Sequence, residues 1–217
     1  MFAHTSTRHC EAEGRSNPGN GLPRRSLREL LAMTTSSKII AVVGPMAAGK
    51  NYICSKLKEE GWASIDADLL VHDAIELVKD KILQTFIPYA ESQNIRLTHD
   101  DGSIDRKALG SLLFSFPELL AIQESIVYPI ITKQIDNFIN GHDKTIINAT
   151  VLYKTPELLY HCDKIIFVTA PFFTRLRRAR KRDHLSFHQI LRRFYAQRNL
   201  LKEYKASGIP LEIIYNR

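Results

Sequence analysis

A chain of 217 residues is long enough for one α/β domain with a buried core. Hydrophobic residues make up 44% and charged residues 24%, ordinary for a soluble globular protein, and no apolar run approaches the roughly 20 residues that cross a bilayer. The formal charge of +7 suits a polyanionic partner, which includes nucleic acid, a membrane surface and a small phosphorylated ligand.

Three cysteines, Cys10, Cys54 and Cys162, form no CxxC pair and stand beside no histidine pattern. They argue against a disulfide framework and a structural zinc site, and for a reducing cytoplasm in which Cys54 and Cys162 are small core residues.

Residues 1–37 are rich in Ser, Gly, Asn, Pro and Arg, with apolar support only at Leu27–Leu31. This composition predicts a disordered N-terminal extension, because too little surface can be buried to offset the ordering entropy. The segment is basic but lacks the apolar stretch of a secretory signal. Met33 stands just before the first predicted strand and is the expected start of translation.

From Lys38 the pattern changes. Ile39–Val43 is wholly apolar and mostly β-branched, which predicts a central parallel strand buried on both faces. A helix is expected over Lys50–Glu60, stopped at Gly61, and a second strand over Trp62–Ile65, ending at Asp66. A further helix is expected over Leu69–Val78, with Asp66 or Asp68 as its cap. Arg106–Phe114 and Pro117–Asn140 carry the clearest helical patterns. Thr145–Ala149, Lys164–Thr169 and the weaker Glu212–Tyr215 complete the strands. Strands alternating with helices predict a five-stranded parallel sheet covered on both faces.

Between the first strand and the first helix lies Gly44-Pro45-Met46-Ala47-Ala48-Gly49-Lys50-Asn51, a GxxxxGK phosphate loop in the context it requires. Gly44 and Gly49 permit backbone conformations that turn successive N–H groups toward one anion. The helix start adds partial positive charge, and Lys50 can bridge the β- and γ-phosphates. Tyr52 follows directly and is counted with the nucleotide contacts. Asn51 stands where Ser or Thr usually offers a hydroxyl to Mg²⁺. Its amide carbonyl is also a hard neutral oxygen, so Asn51 is the candidate metal ligand.

Asp66-Ala67-Asp68 follows the second strand, at the sheet edge where open α/β sheets bind ligands. One carboxylate there can take the proton of an attacking hydroxyl while its neighbour orients it or holds metal-bound water. Arg175, Arg178 and Arg182 share one helical face after the fourth strand, and their guanidinium forks suit phosphate oxygens. Together they form a candidate lid; Arg193 and Gln197 lie on the next helix.

These features occur in an order that resembles the dephospho-coenzyme A kinase family. The markers are the phosphate loop, Ile65–Asp68, Asp101-Gly102-Ser103-Ile104-Asp105-Arg106, Leu112–Phe114 with Pro117-Glu118, and Val168–Pro171. Arg178, Arg182-Asp183, Arg193 with Gln197, and Asn216 complete them, so the resemblance spans about 38–216. It implies a P-loop NTPase fold of the nucleoside-kinase kind, with ATP as co-substrate and Mg²⁺ as cofactor. The implied reaction phosphorylates the 3′-hydroxyl of the ribose of dephospho-coenzyme A.

By resemblance Asp68 is the base and Lys50 the phosphate lysine, with Arg178 and Arg182 completing the catalytic set. Gly44–Tyr52, Arg178 and Asn216 hold the nucleotide, while Asp66, Asp68, Asp101, Arg106 and Arg193 contact the acceptor. A kinase domain is implied over 38–217, with a helical acceptor-binding region at 71–140 and a lid at 171–200.

The chain departs from the family pattern at Asn51, at Tyr128-Pro129 in place of His-Pro, and at Arg175 in place of Gln. Asn148–Tyr153 replaces the usual Pro-Leu-Leu-Phe-Glu stretch, and the sequence stops at Arg217 where relatives commonly continue into a further helix. The expected partner is dephospho-coenzyme A, without nucleic acid or membrane, for a monomer or weak homo-oligomer. Two rival readings remain open: another P-loop small-molecule or nucleotide kinase, and a non-catalytic nucleotide-sensing or nucleic-acid-binding protein.

Overall fold

A computed structural model of the chain describes residues 38–183 and 186–216. The extension expected over 1–37 lies outside the described residues. Five parallel strands form one sheet: β1 (Ile39–Val43), β2 (Ala63–Asp66), β3 (Thr145–Ala149), β4 (Lys164–Thr169) and β5 (Leu211–Tyr215), in the order β2-β3-β1-β4-β5.

Composition explains the central strand. β1 is apolar on both faces and sits at the centre, with Ile40 and Val42 in one buried cluster and Ala41 and Val43 in the other. The two edges are taken by β2, with Ser64 and Asp66, and β5, with Glu212.

Helix α1 (Lys50–Glu59) covers one face, packing Ile53, Cys54 and Leu57 against Ile40, Val42, Ile146 and Ile166. Burial of Ile53 and of Leu57 contributes roughly 1.5–3 kcal/mol each relative to exposure. The opposite face is covered by α2 (Ala67–Leu77), α3 (Lys79–Ser92), α4 (Arg106–Ser115) and α5 (Pro117–Asn140). A single 3₁₀ turn (Leu152–Lys154) and the short α6 (Pro156–Tyr160) follow β3. The chain then forms α7 (Phe172–Asp183), α8 (Phe187–Ala196) and α9 (Leu200–Ala206) around β4 and β5. Cys54 and Cys162 are buried core residues, as the general burial tendency of free cysteine predicts.

Several boundaries differ from the sequence expectation by one or two residues, and two of the shifts have a clear local reason. Trp62 does not open β2: its amide donates to Leu57 O, closing the end of α1, and its ring is buried beside that helix. Helix α2 begins at Ala67 because Asp66 is its cap, accepting from the amides of Asp68 and Leu69. Asp68 therefore sits in the first helical turn.

Strand register lines up the ends of the strands. Val43 lies opposite both Ala149 and Phe167, and Asp66 lies opposite Asn148. The residues after each strand end, Gly44, Ala67, Thr150 and Ala170, thus emerge along one carboxyl edge of the sheet.

Candidate active site

The loop after β1 turns tightly because two glycines and one alanine adopt positive φ: Gly44 at 146°, Ala47 at 60° and Gly49 at 98°. A Cβ at Gly44 would stand 2.0 Å from the backbone oxygen of Val168, so only glycine lets the loop leave β1 beside β4. A Cβ at Gly49 would meet Asn216 Nδ2 at 1.9 Å. That amide donates to Ala48 O at 3.0 Å, which places Asn216, at the end of β5, on the phosphate loop.

The loop is held from its outer side as well. Arg175 Nε donates to Met46 O at 3.0 Å, and its guanidinium stacks 4.1 Å above the Phe194 ring. Arg178 donates to Ala48 O at 3.4 Å, and Met46 N donates to Gln197 Oε1 at 2.8 Å. Met46, Ala179, Ile190 and Phe194 form a small buried cluster of their own, so α7 and α8 are packed onto the loop rather than standing away from it. Burial lowers the Arg175 guanidinium from its ordinary value.

Lys50 opens α1 and turns back beneath the loop. Its ammonium donates to Gly44 O at 3.1 Å and to Thr150 Oγ1 at 3.0 Å. Burial lowers its proton affinity, opposed by the charges of Asp68 and Asp66, while Arg182 acts in the same direction as burial. Thr150 in turn donates to Asp68 from both its groups, Oγ1 to Oδ2 at 2.8 Å and the amide to Oδ1 at 3.2 Å. One hydroxyl therefore joins the phosphate lysine to the exposed carboxylate of Asp68.

A second cluster lies beside it. The buried amide of Asn148 donates through Nδ2 to Asn51 Oδ1 at 3.0 Å and to Asp66 Oδ2 at 2.7 Å. Two hard oxygens thus converge on one amide group. Burial, with the neighbouring Asp68 charge second, raises Asp66 above the ordinary carboxylate range.

Residues 38–212 match the family model for dephospho-CoA kinase. The chain is 36% identical to the dephospho-CoA kinase of Treponema pallidum, over 82% of this chain and 86% of that one. It is 34% identical to the Treponema denticola enzyme of the same name, over 83% and 82% of the two chains. This chain belongs to the dephospho-CoA kinase family.

Solved structures agree on the fold. A Thermus thermophilus protein superposes with a TM-score of 0.67 at 24% identity, covering 83% of this chain and 88% of that one. Dephospho-CoA kinase from Campylobacter jejuni gives 0.55 at 22% identity, covering 82% and 87%. The P-loop kinase fold expected from the sequence is the fold of this dephospho-CoA kinase family member.

The expected site residues divide into two groups. The loop Gly44–Asn51, Asp66, Asp68, Arg178 and Asn216 come together at the carboxyl edge through the bonds above. Arg182 reaches Lys50 through its charge, and Tyr52 is exposed on the outer side of α1. Asp101 and Arg106 stand apart from that cluster. Asp101 binds the amide and hydroxyl of Ser103, and the turn is tied to the far end of α2 by Glu76 Oε1, which accepts from Ile104 N. Glu76 follows Asp68 by about 12 Å along the helix at the usual rise. Arg193 is exposed on α8.

Two participants carry no motif that announces their role, Thr150 and Asn148; Gln197 was legible as a family marker, but its bond to Met46 N was not. Asn148 and Thr150 fall in the stretch where this chain departs from the family pattern, and a polar residue ending a buried strand was the available signal. Among the described residues no helix is long and apolar enough to cross a membrane, and no three acidic, His or Cys side chains cluster as a metal cage.

Proposed function

We propose that this chain transfers the γ-phosphoryl group of ATP to the 3′-hydroxyl of the ribose of dephospho-coenzyme A, giving coenzyme A and ADP. The observation that carries the reading is the linked set Lys50–Thr150–Asp68 beside a phosphate loop, in a member of this family.

In this mechanism the loop amides, Lys50, Arg178 and Arg182 bind the triphosphate and neutralise the charge that moves toward ADP. Asp68 accepts the proton of the ribose hydroxyl as its oxygen bonds to the γ-phosphorus and the bond to the β-phosphate oxygen breaks. General-base assistance of this kind is worth about 10²–10⁴ in rate, and positioning contributes more.

The donor set suits Mg²⁺. Asn51 Oδ1 and Asp66 Oδ2 are hard oxygens facing the same amide, and Mg²⁺ typically takes one or two such protein ligands together with water and phosphate oxygens. When bound there it supplies charge neutralisation at the phosphates.

Residues 71–140, with Asp101 and Arg106, are proposed to hold the acceptor, and 171–200, with Arg193, to act as a lid. The basic surface then concentrates two polyanionic substrates rather than nucleic acid. A cytoplasmic monomer or weak homo-oligomer fits ATP-dependent metabolism.

The test is ADP release by purified protein with ATP and Mg²⁺, with and without dephospho-coenzyme A, and product mass. Acceptor-dependent ADP and a product heavier by one phosphoryl group are expected. ATP binding without that product would move the assignment to another acceptor.

A further inference from the structure

Thr150 is positioned more firmly than a loop residue after a strand requires. It follows β3 directly, so strand register fixes its starting point. Its carbonyl accepts from Tyr204 Oη at 3.0 Å, and Tyr204 is fully buried between Tyr153 and Phe167. Between these two anchors, the Thr150 side chain meets residues 82 and 100 positions away in sequence. An ordinary threonine turn bonds its own neighbouring backbone; this one spans two functional groups.

The chemistry of a hydroxyl decides what the bridge does. Oγ1 has one proton and two acceptor sites. Its proton points to Asp68 Oδ2, and a lone pair receives Lys50 Nζ. The Thr150 amide holds the other Asp68 oxygen. Both carboxylate oxygens are therefore fixed by one residue, so the plane of the carboxylate is set by the end of β3. Lys50, by contrast, has only movable ties here, to Thr150 and to Gly44 O, and its side chain is flexible. Arriving phosphate oxygens outcompete a neutral hydroxyl for an ammonium group.

We infer that Thr150 is a positioning residue of the transfer site: it orients Asp68 for the acceptor hydroxyl and holds Lys50 until the nucleotide phosphates take it over. The inference rests on the proposed function for the identity of the acceptor. It concerns a residue in the stretch where this chain departs from the family pattern.

Thr150→Val keeps the shape and the amide but removes the hydroxyl, and Thr150→Ser restores it. Steady-state kinetics are measured for both variants and for the parent protein at saturating dephospho-coenzyme A. Thr150→Val is expected to lower kcat about 10-fold or more while the KM for ATP stays within about twofold, because orientation and not nucleotide binding is lost. Thr150→Ser is expected to recover kcat to within about threefold of the parent. A Thr150→Val kcat within twofold of the parent, or a Thr150→Ser variant as slow as Thr150→Val, overturns the inference.

The ¹³C resonance of the Asp68 side-chain carboxyl provides a reading independent of turnover. It is expected to shift in Thr150→Val and to stay in place in Thr150→Ser. An unchanged resonance in Thr150→Val overturns the bridge. Parent protein that fails to phosphorylate dephospho-coenzyme A overturns only the functional reading, since the carboxyl resonance then still decides the role of Thr150.

Discussion

Asn51 accepts a 3.0 Å hydrogen bond from Asn148, and the same Asn148 amide reaches Asp66 at 2.7 Å. The unusual residue of the phosphate loop is thereby tied to the end of β3 and placed beside a carboxylate. An amide in this position has a partner that a shorter hydroxyl would not reach in the same way.

Asn148→Ala should raise the Mg²⁺ concentration needed for half-maximal activity several-fold, because the two oxygens proposed as ligands lose the group that gathers them. Removing a buried amide that makes two hydrogen bonds should also cost about 1–3 kcal/mol of stability. A metal titration of activity and a urea denaturation curve check the two effects separately. An unchanged Mg²⁺ requirement would remove Asn51 and Asp66 from the proposed metal site.

Asp68→Asn should reduce turnover by at least about 100-fold while ATP binding stays nearly unchanged. The carboxylate is exposed at the sheet edge and its hydrogen bonds come from Thr150, so its loss falls mainly on the acceptor side. Turnover from ADP release and affinity from calorimetry give the comparison. Unaltered turnover would take the base role away from Asp68.

Gly44→Ala and Gly110→Ala should move stability in opposite directions. The new methyl at position 44 meets backbone of the adjacent strand at 2.0 Å, and φ is positive, so a loss of about 2–4 kcal/mol is expected. At Gly110, inside α4, nothing lies within 4 Å, and alanine should add about 0.5–1 kcal/mol through helix propensity. Thermal melts of both variants measure this, and a Gly44→Ala protein as stable as the parent would contradict the close approach of β4.

The pH dependence of stability carries a sign set by Asp66. Burial, then the Asp68 charge, raises its folded-state value above the ordinary aspartate value of 3.8. Ionisation therefore costs more in the folded protein than in the unfolded chain. The contribution of Asp66 is complete below 3.8 and is lost as pH rises through the folded-state value. Mg²⁺ favours the ionised carboxylate, so it should stabilise the protein more at pH 7 than at pH 4. Melting curves at the two pH values, with and without Mg²⁺ and without nucleotide, test this; an equal shift at both would contradict the assignment.

Local sequence determined much of this protein. The strand patterns, the central position of the apolar Ile39–Val43 and the Gly44–Lys50 loop all depend on neighbouring residues, through burial period and backbone freedom. Asp66 and Asp68 were legible as a pair after a strand, although only the structure assigned the cap to Asp66 and left the Asp68 side chain at the sheet edge. Tertiary structure alone decided the bridge from Lys50 through Thr150 to Asp68 and the Asn148 link between Asn51 and Asp66. It also decided the clamp of Arg175 and Gln197 on Met46. Those contacts join residues about 80 to 150 positions apart, and parallel strand register, with α7 and α8 packed on the loop, brings them together, a relationship that no local pattern encodes.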